Sequence, residues 1–381
     1  MSVPETAESD ARHLRRALEL AALGGAAVSP NPLVGAVIVK DGETLGEGFH
    51  RELGGPHAEV EAIRAARGSD LHGATLYVSL EPCCHQGRTP PCTDAIREAG
   101  IGRVVVASDD PSEHASGRGL GILRDEGVEV VVAEGEIVAR ARLLNQPFRK
   151  RARTGKPWVL YKSAMSLDGK VATRSGDSRW ISGEAGRALV HEWRGAADAV
   201  VVGIGTALAD DPALTARVGG SGSEQLAERQ PRRVIFDSTA QLPLGARVFR
   251  DAELIPLTIV VSRAAQRAAT DAFTAHGAEV IVATGENEPA RVRSALEQLA
   301  AQGVGSLLLE GGPKLAGAFL DAGEIDELRL FVAPLVIGGR SARDPLEGEG
   351  AETIGDALRP LQLECEHVGS DLLITARMRE W

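Results

Sequence analysis

The sequence predicts an α/β protein with two domains. The chain has 381 residues, which is more than one hydrophobic core usually organises. Short runs rich in Val, Ile and Leu alternate along it with stretches whose apolar residues recur at helical spacing, an order typical of α/β domains. Hydrophobic residues make up 43% and charged residues 25%, which favours a globular protein over a disordered or membrane-embedded one.

A basic stretch separates the predicted domains, which we place at residues 1–146 and 157–381 with a linker at 147–156. The stretch is marked by positive charge and includes Arg149, Lys150, Arg151, Arg153 and Lys156. Such a run could contact nucleic acid, but it is more typical of a solvated segment. The net charge of the chain is −11, so we expect no nucleic-acid partner.

No apolar run approaches the length of a membrane helix, and the N-terminus is polar and acidic. We therefore expect no membrane partner and a cytoplasmic location.

Three of the four cysteines lie within ten residues, at Cys83, Cys84 and Cys92. This clustering favours a metal site over a disulfide framework. The fourth, Cys365, is expected to be a small buried residue in a late strand.

The first domain is predicted to contain alternating helices and strands. Ser9 and Asp10 can cap a helix that stops at Gly24-Gly25. Residues 33–39 and 44–48 flank a turn and predict a β-hairpin. The remaining predicted elements are a helix at 56–66, a strand at 74–80, a helix at 93–99, a strand at 103–108, a helix at 117–126 and a strand at 128–133. Helical connections make the later strands mainly parallel, so this domain is expected to be an α/β/α sandwich.

The second domain repeats this kind of alternation. Its predicted strands cover residues 158–164, 199–203, 233–237, 257–262, 279–283, 306–310, 328–333 and 372–377. Helices are predicted at 183–193, at 290–301 and after Gly311-Gly312. This order again indicates an α/β domain.

The strongest chemical signal is His57-Ala58-Glu59 at a helix start, followed by Pro82-Cys83 and then Cys92. One imidazole and two thiolates can hold Zn²⁺ and leave a fourth position for water, which is the catalytic pattern. Glu59 is placed to carry the proton from water to a leaving amine. A structural zinc site with Cys84 or His85 as fourth ligand is the alternative, but it gives Glu59 no purpose.

The segment between the two cysteines is longer than in the generic Pro-Cys-x-x-Cys pattern. It places His85 and Arg88 where they would face a substrate, and Arg88 could bind a phosphate bidentately. A solvated polar loop is the alternative for both residues. Asn31 could present its amide to a base edge, although Asn-Pro is often only a turn.

These motifs closely resemble the bifunctional riboflavin-biosynthesis deaminase/reductase family over nearly the whole chain. The segments that carry the resemblance are 31–35, 57–59 and 80–92. By this resemblance the first domain is cytidine-deaminase-like, His57, Cys83 and Cys92 bind zinc, and Glu59 is the proton shuttle. The residues that match its pyrimidine-ribotide contacts are Asn31, His50, His85 and Arg88. The chain departs from the family pattern in having Cys84 where relatives have Ser and Arg88 where some have Lys.

The second domain has a strand that ends in Gly311-Gly312, followed by a helix that Pro313 opens. This arrangement exposes backbone N–H groups at a positive helix end and suits a phosphate. It is not the Gly-x-Gly-x-x-Gly pattern, so no Rossmann fold follows, and a Gly-Gly turn alone is often ordinary. Asp210-Asp211 could be mistaken for a metal pair, but Asp-Asp-Pro is also a common turn.

The same resemblance implies a dihydrofolate-reductase-like second domain that uses NADPH. Cofactor contacts are implied for Ala164, Trp180, Thr206, Asp210, Ser238, Gly312, Pro313, Lys314, Leu315, Ala316, Gly317 and Ala318. Substrate contacts are implied for Lys162, Ser178, Arg194, Leu214, Arg217 and Glu310. Arg194 and Arg217 suit a ribose 5′-phosphate, although either could be an ordinary surface arginine.

Together these features predict a two-step enzyme with zinc and NADPH as cofactors and a homo-oligomeric state. It would remove the 2-amino group of 2,5-diamino-6-ribosylamino-4(3H)-pyrimidinone 5′-phosphate and then reduce the ribosyl chain to ribityl. One alternative is a deaminase of free bases or tRNA adenosine with a non-catalytic second half. The other is a zinc-stabilised binding protein whose second half senses a nucleotide.

Overall fold

The structure is a computed structural model that describes residues 3–87, 89–113, 115–219 and 225–381. The chain divides into two units, Met1–Gly155 together with Trp381, and Lys156–Glu380. Arg88, one of the predicted substrate contacts, lies outside the described residues.

The first unit is built on one five-stranded sheet. Its elements are α1 (Val3–Ala22), a 3-10 helix (Gly25–Val28), β1 (Gly35–Lys40), β2 (Glu43–Phe49), α2 (Ala58–Ala65), β3 (Thr75–Val78), α3 (Cys92–Glu98), β4 (Arg103–Val106), α4 (Arg118–Asp125), β5 (Glu129–Val132), α5 (Glu136–Leu144) and α6 (Gln146–Thr154). The strand order is β2-β1-β3-β4-β5. β1 is antiparallel to β2 and β3, whereas β3, β4 and β5 are parallel, as the helical connections predict.

The alternation of side chains along β1 produces the two cores of this unit. Ala36 and Ile38 point into the core under α2, α3 and α4. Val37 and Val39 point into the opposite core with α1 and α5. The predicted α/β/α sandwich is therefore confirmed.

Close packing of α2 on β2 fixes where the first turn of α2 lies. A Cβ at Gly48 would lie 2.4 Å from the Ala62 nitrogen and 2.5 Å from the Ala58 oxygen. Only glycine leaves room for the helix at this distance. Because His57 is the N-cap of α2, this contact positions the predicted metal ligand.

The predicted start of the first helix is wrong. α1 begins at Val3, and Asp10 lies inside it rather than capping it. The Asp10 carboxylate instead accepts two hydrogen bonds from Arg103, at 2.9 and 2.7 Å, and one from the Tyr77 hydroxyl at 2.9 Å. These partners lie far away in sequence, so the local pattern could not reveal them.

The stretch predicted as a solvated linker is largely helical. Residues 147–154 belong to α6, and Arg149 and Lys150 are buried, at 1% and 0% exposure. Arg149 donates to the carboxylate and backbone oxygens of Asp109 and to the Trp381 oxygen. A buried arginine with these partners is a structural element of the first unit, so it is not part of a nucleic-acid surface.

The second unit is built on a mixed sheet of nine strands. Its elements are β6 (Trp158–Ser166), α7 (Glu184–Ala196), β7 (Ala199–Gly203), α8 (Ile204–Asp210), β8 (Arg232–Phe236), a 3-10 helix (Arg247–Phe249), β9 (Leu257–Val261), α9 (Arg267–Ala275), β10 (Ala278–Val282), α10 (Glu288–Ala301), β11 (Ser306–Leu309), α11 (Pro313–Asp321), β12 (Glu327–Ala333), β13 (Gln362–Val368) and β14 (Asp371–Arg377). The strand order is β10-β9-β8-β7-β11-β6-β12-β14-β13. In this order, each strand from β10 to β12 is parallel to its neighbours. β14 is antiparallel to both β12 and β13, and β13 forms one edge of the sheet.

The expected burial of Cys365 is wrong, because this residue lies exposed in β13. β13 forms the outer edge of the sheet next to β14, and its side chains from Gln362 to His367 are exposed. The described residues cover neither face of this strand, so its alternate residues are not buried.

Among the helices of the described ranges, none is long and apolar enough to cross a membrane.

Candidate active sites

Three candidate metal ligands meet at one site in the first unit. His57 precedes α2, Cys83 follows β3 in a loop, and Cys92 begins α3. The Nδ1 atom of His57 lies 3.2 Å from the Cys92 sulfur and 3.4 Å from the Cys83 sulfur. All three ligand atoms lie within 4.8 Å of one another, and one nitrogen with two sulfurs is a donor set that suits zinc.

The other ring nitrogen of His57 contacts Thr89. Its Nε2 atom lies 3.3 Å from the Thr89 hydroxyl oxygen. A proton on Nε2 that is donated to this oxygen leaves the Nδ1 lone pair directed at the two sulfurs. Metal-binding histidines are commonly oriented by such a contact, so the local geometry fits a zinc ion.

Glu59 is buried beside these ligands, with 3% exposure. Burial, followed by the negative charge of Cys83, raises the pKa of Glu59 to about 7. The side chain therefore exchanges a proton easily near neutral pH. A hydrogen bond between the cysteines lowers the pKa of Cys83 and raises that of Cys92.

Asn31 and His50 form an ordered pair next to the metal ligands. The His50 Nδ1 atom lies 3.0 Å from the Pro56 carbonyl oxygen, and its Nε2 atom lies 3.2 Å from the Asn31 amide nitrogen. With Nδ1 donating to Pro56, Nε2 accepts from Asn31. Burial lowers the pKa of His50, which favours this neutral form. The ring centres of His50 and His57 are 5.5 Å apart, so both predicted substrate contacts lie near the candidate metal ligands.

The loop between Cys83 and Cys92 contributes no further side chain to the ligand group among its described residues. Cys84 is half-buried and His85 is exposed. In the described part of the chain, the ligand group that forms contains His57, Cys83 and Cys92 and neither of these two residues. Among the residues that the structure describes, no fourth protein ligand joins this group to make a closed structural zinc site.

Glu81, which the sequence patterns did not single out, fixes the loop that carries Cys83. It is buried, and its carboxylate accepts hydrogen bonds from the backbone nitrogens of Gly117, at 2.9 Å, and Gly119, at 3.2 Å. Both nitrogens lie at the start of α4. A Cβ at Gly119 would lie 2.3 Å from the Pro82 oxygen, so helix and loop are in direct contact.

The second unit contains a cavity of about 1090 Å³. Sixteen of its lining residues carry sequence predictions: Lys162, Ala164, Ser178, Trp180, Arg194, Thr206, Asp210, Leu214, Arg217, Ser238, Glu310, Gly312, Pro313, Lys314, Leu315 and Ala318. The predicted cofactor and substrate contacts thus surround one space. Its size suits a cofactor together with a substrate.

A buried ion pair lies in this cavity, among the residues predicted to contact substrate. Arg194 binds the Glu310 carboxylate through two hydrogen bonds, of 2.5 and 2.7 Å, and donates to the Thr215 oxygen at 3.1 Å. Burial raises the pKa of Glu310, but Arg194 outweighs this effect and brings the pKa below its usual range. Burial lowers the pKa of Lys162, the third charged group here. Arg194 is therefore not an ordinary surface arginine.

The proposed phosphate cradle lies at the start of α11. Gly311 and Gly312 pass close to Thr206. A Cβ would lie 3.1 Å from the Thr206 hydroxyl oxygen at Gly311 and 3.3 Å from it at Gly312. Their lack of side chains leaves the backbone N–H groups accessible from the cavity. The site therefore fits a pyrophosphate-containing cofactor.

Two predicted cofactor residues do not line the cavity. Ala316 lies in the hydrophobic core. A Cβ at Gly317 would lie 1.2 Å from the Glu347 backbone oxygen, so this glycine serves packing. The contact surface of α11 is thus one side of its first two turns rather than the whole run from Gly312 to Ala318.

The acidic pair of the second domain forms hydrogen bonds that shape the backbone. Arg179 donates to the Asp210 backbone oxygen at 2.7 Å, and the Asp211 carboxylate accepts from the Arg247 backbone nitrogen at 2.8 Å. Within the ranges that the structure describes, neither aspartate joins a metal-binding group. The turn interpretation of this pair therefore agrees with the structure.

Sequence reasoning missed several residues that line the cavity. Arg187, Val190 and His191 lie on the same face of α7 as Arg194. Arg187 also packs over the ring of Trp180, at 4.8 Å from its centre. Helical spacing back from Arg194 is the signal that could have identified them.

Family models match both halves of the chain. Residues 7–108 match the cytidine and deoxycytidylate deaminase zinc-binding region. Residues 157–374 match the RibD C-terminal domain. The zinc cluster lies in the first of these ranges, and the lining residues of the cavity lie in the second.

Relatives match nearly the whole chain. The riboflavin biosynthesis protein RibD of Actinobacillus pleuropneumoniae is 39% identical over 366 residues, which cover 96% of this chain and 94% of that protein. RibD of Escherichia coli is 39% identical over 371 residues, or 96% and 98% of the two chains. RibD of Mycobacterium tuberculosis is 41% identical over 350 residues, or 91% of each chain.

Solved structures give the same result. A structure of Acinetobacter baumannii RibD superposes with a TM-score of 0.84 at 37% identity and covers 98% of this chain and 100% of its own. A Thermotoga maritima protein described as a diaminohydroxyphosphoribosylaminopyrimidine deaminase/5-amino-6-(5-phosphoribosylamino)uracil reductase superposes with a TM-score of 0.81 at 37% identity and the same coverage.

Proposed function

This chain belongs to the RibD family of riboflavin biosynthesis proteins and is a bifunctional deaminase and reductase, and we propose here its substrate and the roles of its residues. The proposed substrate is 2,5-diamino-6-ribosylamino-4(3H)-pyrimidinone 5′-phosphate. Water replaces its 2-amino group and ammonia leaves. Two electrons and two protons then convert the ribosyl chain to ribityl, which gives 5-amino-6-ribitylaminouracil 5′-phosphate.

For the first reaction we assign His57, Cys83 and Cys92 as the zinc ligands and Glu59 as the proton carrier. Zinc, when bound, acts as a Lewis acid that makes water a better nucleophile at neutral pH. Glu59 takes up a proton and delivers it to the leaving amine. A carboxyl group with a pKa of about 7 suits both directions of this transfer.

The pyrimidine is proposed to lie against Asn31 and His50. Because the Asn31 amide nitrogen donates to His50, its oxygen is left to accept from the substrate. We assign His85 and Arg88 as further contacts, with Arg88 near the phosphate, on the family resemblance and the chemistry of these side chains.

For the second reaction we place NADPH and the deaminated product in the cavity of the second unit. NADPH supplies the hydride equivalent when bound. The Gly311-Gly312 turn and the start of α11 hold its phosphates, with Ala164, Trp180, Thr206, Asp210 and Ser238 around the rest. The substrate lies against Lys162, Ser178, Arg194, Leu214, Arg217 and Glu310.

The convergence of three zinc ligands on a buried Glu59 carries the proposal, and Glu59→Gln tests it. This variant keeps the size of the side chain but cannot carry a proton. We expect zinc content to stay the same and ammonia release to fall by at least about 100-fold, as for loss of a general acid–base group. Reduction of supplied deaminated substrate should be unchanged.

Glu61 lies in the same first turn of α2, is half-buried and pairs with Arg64 instead of joining the ligand cluster. It gives the control variant Glu61→Gln, which should keep both activities. Ammonia release by Glu59→Gln at the wild-type rate would refute the assigned role. Loss of both activities in a folded, zinc-loaded variant would refute the separation into two sites. A homo-oligomeric state and a cytoplasmic location remain part of the proposal, to be tested by light scattering and cell fractionation.

A further inference from the structure

One loop of the second unit carries a predicted contact for each ligand of the cavity. Residues 178–182 lie in the connection between β6 and α7, and all five line the cavity. Ser178 is a predicted substrate contact and Trp180 is a predicted cofactor contact. The position of this loop therefore bears on the binding of both ligands.

Trp180 lines the cavity and yet is 66% exposed. An aromatic ring in a cavity wall can pack a flat group of a ligand against its face. The guanidinium of Arg187 lies over the Trp180 ring, 4.8 Å from its centre, and so covers one of the two faces. The exposed remainder of the ring is accessible to a ligand.

The guanidinium of Arg187 also holds the backbone of the loop. Its Nη1 atom donates to the Ser182 carbonyl oxygen at 2.6 Å. Arg187 belongs to the first turn of α7, where its backbone nitrogen donates to the Gly183 oxygen. A planar guanidinium can stack on a ring and donate a hydrogen bond at the same time. One side chain of α7 thus contacts the loop both at its end and at the Trp180 ring.

A second arginine attaches the loop on the other side of Trp180. Arg179 donates to the backbone oxygen of Asp210, the last residue of α8, at 2.7 Å. This bond restrains the chain before the ring, whereas Arg187 contacts the ring itself. The orientation of the indole therefore depends on Arg187 more than on Arg179.

We propose that Arg187 is a positioning residue of the reductase, which attaches the loop 178–182 to α7 and holds the Trp180 ring in the orientation that binds NADPH. This inference rests on the proposed function, since it takes Trp180 as a cofactor contact. Without Arg187 the loop has other arrangements available to it. The apparent affinity for NADPH then falls with the fraction of molecules in the binding arrangement.

The first test is Arg187→Met, which keeps a long side chain but removes the charge and the hydrogen-bond donors. We expect the Kd for NADPH, measured by fluorescence titration, to rise about three- to tenfold, the range for the loss of a cation–π contact with a hydrogen bond. The kcat for reduction of supplied deaminated substrate at saturating NADPH should stay near the wild-type value. Arg187→Lys keeps a cation over the ring and should recover part of the loss.

The matched control is Arg267→Met. Arg267 lies on α9 with 94% of its side chain exposed and is not among the residues that line the cavity. The same change of residue type at this position should leave both the Kd for NADPH and kcat at their wild-type values.

A double-mutant cycle with Trp180→Ala tests whether Arg187 acts through the ring. Trp180→Ala alone should raise the Kd for NADPH. Adding Arg187→Met to it should then raise the Kd much less than in the wild-type background, because the contact that Arg187 supports is already gone. A residue that bound a cofactor phosphate directly would weaken binding equally in both backgrounds.

The outcomes separate this inference from the proposed function. A wild-type Kd in Arg187→Met, or equal increases of Kd in the two backgrounds, would overturn the positioning role and leave the reaction standing. If Trp180→Ala bound NADPH as the wild type does, the cofactor contact assigned to Trp180 would be wrong. If the wild type did not bind NADPH at all, the proposed function of this cavity would fail.

Discussion

At the scale of single residues, the metal site depends on which nitrogen of His57 carries a proton. Nδ1 faces both cysteine sulfurs, and Nε2 lies 3.3 Å from the Thr89 hydroxyl oxygen. When Nε2 carries the proton and donates it to Thr89, the ring is held in place with its Nδ1 lone pair free for a metal.

We expect Thr89→Val to weaken zinc binding while preserving the shape of the side chain. The loss of a contact to the second nitrogen of a metal-binding histidine typically lowers metal affinity about 10- to 100-fold. Competition with a chromophoric chelator measures the dissociation constant. Thr89→Ser keeps the hydroxyl and should retain near-wild-type affinity; equal affinities for Val and Ser would show that the hydroxyl does not orient His57.

The sequence identified the residues whose type and spacing already carry chemistry. His57, Glu59, Cys83 and Cys92 form a pattern of this kind, and three of them form the observed ligand cluster. Thr89 could not be found in this way, because a threonine becomes informative only when its contacts are known in three dimensions.

At the scale of elements, the start of α4 supports the loop that carries Cys83. The Glu81 carboxylate accepts from two backbone nitrogens in the first turn of the helix, where the N–H groups lack intrahelical partners. Gly119 then allows that turn to touch Pro82, the neighbour of Cys83. A helix distant in sequence thus fixes the position of a metal ligand.

Two glycines of α4 provide a matched test of this contact. Gly119→Ala would place a methyl group 2.3 Å from the Pro82 oxygen, so we expect a loss of about 1–3 kcal/mol in stability and earlier zinc release during urea titration. A Cβ at Gly121 would meet no atom within 4 Å, so Gly121→Ala should be neutral or stabilise by up to about 1 kcal/mol. Equal behaviour of the two variants would contradict a supporting role for this contact.

Most predicted strands were found, but several elements were missed. The helices at Glu136–Leu144, Gln146–Thr154, Ile204–Asp210 and Arg267–Ala275 and the strand Gln362–Val368 were not predicted. The helix Gln146–Thr154 contains a dense basic run, whose burial depends on distant partners such as Asp109. The strand is exposed on both faces, so it lacks the alternation of buried and exposed residues that a sequence pattern detects.

At the scale of the whole molecule, the two chemistries use separate parts of the chain. The predicted zinc ligands belong to the unit Met1–Gly155, and every residue that lines the cavity belongs to Lys156–Glu380. The alternating pattern of the sequence predicted α/β folds for both. The sequence pattern could not predict the order of the nine strands in the second sheet, because that order depends on packing between residues far apart in the chain.

Removal of the metal should therefore affect one reaction and spare the other. We expect a chelator to abolish ammonia release, because the zinc ligands would no longer activate water, and to leave the reduction of supplied deaminated substrate unchanged. Coupled assays of ammonia and NADPH absorbance measure both. Restoration of ammonia release by added zinc is the control, and parallel loss of both reactions would mean that the metal also supports the second site.

The position of the three zinc ligands also bears on how the protein acquires its metal during synthesis. His57, Cys83 and Cys92 all come from the first quarter of the chain, and the sheet beneath them is complete at Val132. Domains usually fold in the order in which the ribosome releases them. We therefore expect this sheet and its three predicted ligands to form, and to bind zinc, while the strands of the second unit are still being translated. Only the contacts of Trp381 with the first unit must wait for the end of synthesis.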